Sequence, residues 1–192
     1  MTQNTCISNI NTPGSVLPGN SSSEPYGSKV GPCPILRDAT VEQQSDLLEH
    51  DLLDMVDIDE RYDAAAEDFI RNATATQTPW FFYFSSHHTH VPQFAPEALT
   101  GFSVRGLMGD SLSTLDRSVG RLLNLTTTLG IDDRTMMIFS ADNGGARYWG
   151  PDVGGSNGEL RCGKETTYEG GHRVPTILRW PGVVQPGTVN TK

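Results

Sequence analysis

WFFYFSSHHTHVP (residues 80–92) and TMMIFSADNGG (residues 135–145) carry the architecture of this 192-residue chain. Each opens as a short apolar run without charge, the pattern of a strand buried on both faces, and each closes in a polar cluster. Between them, GDSLSTLDRSVGRLLNLTTTLG (109–130) sets Leu112, Leu115, Val119, Leu122 and Leu129 at helical spacing and stops at Gly130, a residue suited to a helix C-terminal cap. Strand, helix, strand predicts a right-handed βαβ crossover of an open α/β sheet. Ligands of such sheets gather outside the carboxyl ends of the parallel strands. SHHTHVP and ADNGG are therefore predicted on one edge of one sheet.

Upstream, the spacing predicts two helices between Val41 and Asn72. SDLLEHDLLDMV places Leu48, Leu52, Leu53 and Val56 on one face, and ERYDAAAEDFIRN places Tyr62, Ala66, Phe69 and Ile70 on another. Pro79 ends the second, because the residue before a proline avoids helical geometry. Residues 1–34, rich in Ser, Asn, Gly and Pro, read as a loop-rich or disordered leader. Downstream, LRCGKETTYEGGHRVP (160–175) offers a lysine in a Gly-flanked loop, then a turn feeding a strand from Val174 to Trp180.

Composition bounds the function. Fourteen basic against 23 acidic side chains leave a net charge of −9, which argues against a nucleic-acid partner. Residues 1–80 hold 4 basic and 13 acidic groups, so the acidity belongs to the first part. Its acids from Asp46 to Asp68 read as a solvated helical face. The 20 glycines and 12 prolines follow no collagen-like period and imply many loops. No run of about 18 apolar residues is present to span a bilayer, and MTQNTCISNINTPGS lacks the basic and apolar regions of a signal peptide. Three cysteines, Cys6, Cys33 and Cys162, leave at least one without an intrachain partner. Asn20, Asn72 and Asn124 each begin an N-glycosylation triplet.

Three clusters can carry chemistry. His87, His88 and His90 could hydrogen-bond backbone, ligate zinc, or act as a general acid or anion contact. Asp142 and Asn143 offer hard oxygens of the kind calcium or magnesium takes, or else form an Asn-Gly turn. Lys164 can present its ammonium to an anionic substrate as a compact point charge.

In order along the chain, PWFFYFSSHHTHVPQF, GDSLSTLD, TMMIFSADNGG and LRCGKETTYEGGHRVPTILRWPG resemble the type I sulfatases, the arylsulfatase A branch of the alkaline-phosphatase-like superfamily. The resemblance implies an α/β fold with a mostly parallel central sheet and flanking helices. It implies hydrolysis of sulfate monoesters, with Asp142 and Asn143 as calcium ligands and His90 and Lys164 on the sulfate. Sulfated small molecules, glycans or glycolipids would be the substrates. A lysosomal or secreted setting and glycans at Asn20, Asn72 and Asn124 are implied as well, and a homo-oligomer is compatible.

The family nucleophile is a formylglycine made from the cysteine or serine of a C/S-x-P-x-R motif. Cys33-Pro34-Ile35-Leu36-Arg37 has its proline at the wrong offset and is rejected as that motif. The early Asp-Asp pair that completes the calcium shell is also absent. Residues 35–192 are therefore expected to be the C-terminal portion of a sulfatase catalytic domain, truncated on its N-terminal side. The alternative is a catalytically inactive sulfatase-like protein that binds anionic glycans or a partner subunit. A phosphohydrolase of the same superfamily is disfavoured by the calcium-type DNGG and GKETTYEGG.

Overall fold

The computed structural model describes residues 35–37, 40–43, 58–91, 93–147 and 153–190. In chain order its regular elements are β1 (Ile35–Arg37), β2 (Thr40–Gln43), α1 (Ile58–Ala75), α2 (Gly106–Thr128), β3 (Met137–Ser140), α3 (Glu169–His172) and β4 (Thr176–Arg179), with short 3-10 turns at Glu97–Leu99 and Asp132–Arg134. The described residues divide into two compact units, one within Met1–Tyr62 and Tyr83–Asp116, the other within Asp63–Phe82 and Arg117–Lys192. The unit boundaries fall inside α1 and α2. The predicted leader and the predicted helix around Leu48 to Val56 lie outside the described residues. Helical structure does not begin at Val41, which instead pairs with Leu36 in the antiparallel β1–β2 hairpin.

Sequence explains both long helices. Asp59 and Glu60 in the first turn of α1 oppose its dipole, and an alanine run follows. Both helices close in the same two-bond motif at their C-termini. Thr78 N–H donates to Ala73 O (2.9 Å) and Gln77 N–H to Thr74 O (3.1 Å), while Ile131 N–H donates to Thr126 O (3.0 Å) and Gly130 N–H to Thr127 O (3.1 Å). The left-handed position falls on Gly130 (φ 65°) in one and on Gln77 (φ 54°) in the other. Gly130 thus caps α2 as its sequence implies.

Burial corrects two readings. The inner face of α2 is Ser111, Thr114, Ser118, Leu122 and Leu125, polar in its first half, and Leu112 is exposed. The acids of α1 are not all solvated: Asp59 and Asp63 are buried, four residues apart and in line with buried Ala66 and Ile70. Helical periodicity puts them on the inner face, where they meet hydrogen-bonding partners. In the second unit Asp63 accepts from Ser118 Oγ (2.9 Å) and Arg121 Nη1 (3.2 Å), and Arg121 Nε donates to Glu67 (2.8 Å).

The two apolar runs behave differently from fully buried parallel strands. Residues 80–86 belong to no strand among the described residues; Phe81 and Tyr83 are 85% and 78% exposed, whereas Phe82 stacks on Phe69 of α1 with ring centroids 5.2 Å apart. One face is covered, and burial on both faces requires cover on both. Met137–Ser140 is a strand as expected, but it pairs antiparallel with β4, Ile138 opposite Leu178 and Phe139 opposite Ile177. The predicted βαβ pairing does not occur among the described residues. Ile138 and Ile177 remain 59% and 64% exposed on this two-stranded sheet. At its end Arg179 Nη1 donates to Asp132 Oδ1 (2.7 Å), and Trp180 Nε1 to Asp133 O (3.1 Å). The arginine, through its hydrogen bond, holds the Asp132 carboxyl below its ordinary pKa.

Candidate active site

In the first unit the histidine loop is organised by side chains. His88 holds two partners at once: Nδ1 meets Ser111 Oγ at 2.7 Å and Nε2 meets Asp59 Oδ2 at 2.8 Å. His87 is buried, stacked on Phe94 with centroids 4.8 Å apart. Neither of its ring nitrogens makes a hydrogen bond with a described residue; Nε2 stands 3.5 Å from Asp59 Oδ1. Burial first, and the neighbouring His88 second, push the His87 pKa down to about 4, against a smaller upward pull from Asp59. His87 is therefore neutral at physiological pH.

His90 is oriented differently. Its backbone N–H donates to His87 O (2.9 Å), and its Nδ1 lies 2.7 Å from Val91 O. A carbonyl only accepts, so Nδ1 carries the proton and Nε2 is the basic nitrogen of the neutral ring. His90 thus bonds within its own loop, whereas His88 is held by Asp59 and Ser111.

In the second unit backbone organises the loops. ADNGG follows β3, and Asn143 Nδ2 donates to Gly144 O (2.9 Å), a bond that does not use its side-chain oxygen. Asp142 is exposed and makes no hydrogen bond or ion pair with a described residue. Lys164 N–H donates to Gly145 O (3.2 Å), Gly144 N–H to Gly171 O (2.9 Å) and Gly170 N–H to Arg161 O (2.9 Å). These crossings need glycine: a Cβ on Gly144 would overlap Gly170 O, and one on Gly170 would overlap the carbonyls of Arg161 and Cys162. The loop bearing Asp142 and Asn143 is thus knitted to the loop bearing Lys164.

Asn157 locks that knot. Its Oδ1 accepts from Gly145 N–H (2.7 Å), and its Nδ2 donates to Gly145 O (2.9 Å) and Cys162 O (3.0 Å). Sequence reasoning missed it. The only signal was an Asn-Gly pair between two glycine-rich stretches, which reads as an ordinary turn. Asp59 and Ser111 were missed for another reason: each reads as a solvent-facing helix residue until its partner's position is known. Asp142, Asn143 and Lys164 share the second unit, and His90 lies in the first. Asn72 and Asn124 are exposed on α1 and α2, whereas Asn20 lies outside the described residues. Cys162, in the left-handed conformation (φ 61°), is a free thiol.

Comparison with known proteins defines the class. A sulfatase family model matches residues 9–192. The chain belongs to the sulfatase family, and it shares the alkaline-phosphatase-like α/β fold with the sulfatases of known structure. It is 42% identical to arylsulfatase A of Homo sapiens over 159 residues, 83% of this chain and 30% of that protein. It is 44% identical to N-acetylgalactosamine-6-sulfatase of Mus musculus over 129 residues, 67% of this chain and 25% of that protein. The crystal structure of the PsFucS1 sulfatase from Pseudoalteromonas sp. superposes with a TM-score of 0.66 at 28% identity, covering 74% of this chain and 28% of that one. The chain spans at most about 30% of the length of these relatives.

Proposed function

We propose that residues 35–192 form the C-terminal portion of a sulfatase catalytic domain that cleaves sulfate monoesters. The observation that supports this is the loop knot: Lys164 N–H on Gly145 O, with Asn157 bridging, holds an ammonium and the oxygen donors Asp142 and Asn143 on joined loops. Asp142 and Asn143 would ligate calcium, which in this setting supplies positive charge to hold a sulfate oxygen. The donors fit in kind, an exposed carboxylate and an amide oxygen, but two fall short of the six to eight oxygens calcium takes. Affinity in this chain is therefore weak. Lys164 would neutralise a second sulfate oxygen, and His90 Nε2 would contact the ester. Formylglycine chemistry would require a C/S-x-P-x-R segment, which these 192 residues do not contain. Sulfated small molecules, glycans or glycolipids are the substrate class.

A lysosomal or secreted protein is the matching setting, with glycans on Asn72 and Asn124. The hydroxyl of the second triplet, Thr126 Oγ1, is engaged by Leu123 O and Asp132 Oδ1 at 2.9 Å each. Modification at Asn124 would therefore precede folding.

Calorimetric titration with calcium tests the site. Millimolar binding lost in Asp142→Ala is expected; binding unchanged by that substitution would overturn the assignment. The 192-residue chain should not turn over a chromogenic aryl sulfate. Turnover abolished by Cys33→Ala would reverse the rejection of that cysteine. In a polypeptide joining this chain to a C-x-P-x-R segment, His90→Ala or Lys164→Ala should lower kcat about 10²- to 10³-fold, the scale of losing one transition-state contact. Sulfated-glycan binding that persists in such a polypeptide without turnover would favour the non-catalytic reading.

A further inference from the structure

We infer that Asp59, His87 and His88 form a binding site for a transition-metal ion of the zinc type, tying the first turn of α1 to the loop that carries His90. The three ligand atoms lie within 4.8 Å of one another. Two imidazoles and one carboxylate are a donor set that zinc takes, whereas calcium prefers oxygen alone. The site is therefore chemically distinct from Asp142 and Asn143. It also lies in the other unit.

Spacing and surroundings favour an ion over a purely hydrogen-bonded cluster. Tetrahedral zinc with bonds near 2.0–2.1 Å sets its ligands about 3.3 Å apart. His87 Nε2 and Asp59 Oδ1 already stand at 3.5 Å, longer than an ordinary hydrogen bond, and neither ring nitrogen of the buried His87 has a hydrogen-bond partner among the described residues. Asp59 faces His87 with Oδ1 and His88 with Oδ2, so it must turn to present one oxygen, and the 2.8 Å between His88 Nε2 and Oδ2 opens by about half an ångström as the ion displaces the proton from Nε2. The neutral ring then carries its proton on Nδ1 and donates it to Ser111 Oγ. Ser111 Oγ on His88 Nδ1 (2.7 Å) then does what a partner of a metal-bound histidine usually does: it fixes the tautomer and aims Nε2 at the ion. Phe94 walls the His87 side, and water takes the fourth position. Because His90 N–H donates to His87 O, an ion here holds the His90 loop from behind.

The test is metal titration of the EDTA-treated 192-residue chain with zinc alone, and with cobalt as a coloured substitute. One zinc per chain with about micromolar affinity or tighter is expected, together with a visible cobalt band of four-coordinate intensity. His87→Ala should erase the band, Ser111→Ala should weaken zinc about 10- to 100-fold, and Asp142→Ala should leave both unchanged. In the unmutated chain, zinc should shift the ring-proton resonances of His87 and His88 and leave those of His172 in place. This readout stands even where a variant fails to fold. Absence of stoichiometric zinc, a band that survives His87→Ala, loss of binding in Asp142→Ala, or shifts confined to His172 would each overturn the inference.

Discussion

The histidine loop and the DNGG–CGK loops reach order by opposite means. The first is held by side chains reaching from helices: Asp59 and Ser111 clasp His88, and Phe94 backs His87. The second is held by backbone, with glycines letting carbonyls cross and one asparagine bridging them. The difference teaches where each region is fragile. Deleting atoms harms a side-chain clasp, whereas adding a single carbon harms a backbone crossing.

Gly170→Ala should break the backbone region most severely. Its Cβ would meet two main-chain carbonyls that have no side chain to swing away. A loss of about 3 kcal/mol or more is expected, the upper range for overpacking, measured by urea denaturation. Asn157→Ala should follow. Three hydrogen bonds at roughly 1 kcal/mol each give a loss near 3 kcal/mol at most, and calcium binding at Asp142 should fall with it. If Asn157→Ala were silent while Gly170→Ala was severe, the crossings alone would hold the loops and the asparagine would be incidental.

Smaller effects sharpen the same contrast at helix ends. Gly130→Ala should cost about 1 kcal/mol because φ is 65° there, and Gln77→Gly, at φ 54°, should gain a similar amount or less. Thermal unfolding of the two variants should therefore shift in opposite directions. The smallest effect concerns Asp132, whose pKa is lowered chiefly by its hydrogen bond from Arg179. A carboxylate with a depressed folded pKa stabilises above its unfolded value near 3.8 and loses that contribution as pH falls through the lower folded one. Asp132→Asn should accordingly flatten the acid limb of the stability curve and change little under conditions too acidic for the native carboxylate to ionise.

The β3–β4 sheet shows a third condition, order without cover. Its strands pair over four residues, yet Ile138, Phe139, Ile177 and Leu178 are all exposed. TMMIFSA announced a strand and its length, because an apolar run of that kind has few other uses. It did not announce an antiparallel partner at Thr176–Arg179. WFFYFSS misled in a similar way: alternation of inner and outer side chains emerges only when one face meets Phe69.

Sequence by itself determined both long helices, the Gly130 cap, the strands at Met137 and Thr176, and the ordered motifs that mark a sulfatase. Periodicity, capping residues and motif order act locally, and so they are written in single stretches of chain. Only the tertiary structure decided that Asp59 and Asp63 turn inward, that Asn157 rather than a conspicuous motif residue joins two loops, and that the ring nitrogens of His87 are buried without a hydrogen bond to any described residue. Each depends on which distant group arrives opposite a polar atom, and the desolvation that makes this matter begins only when the chain has closed around it.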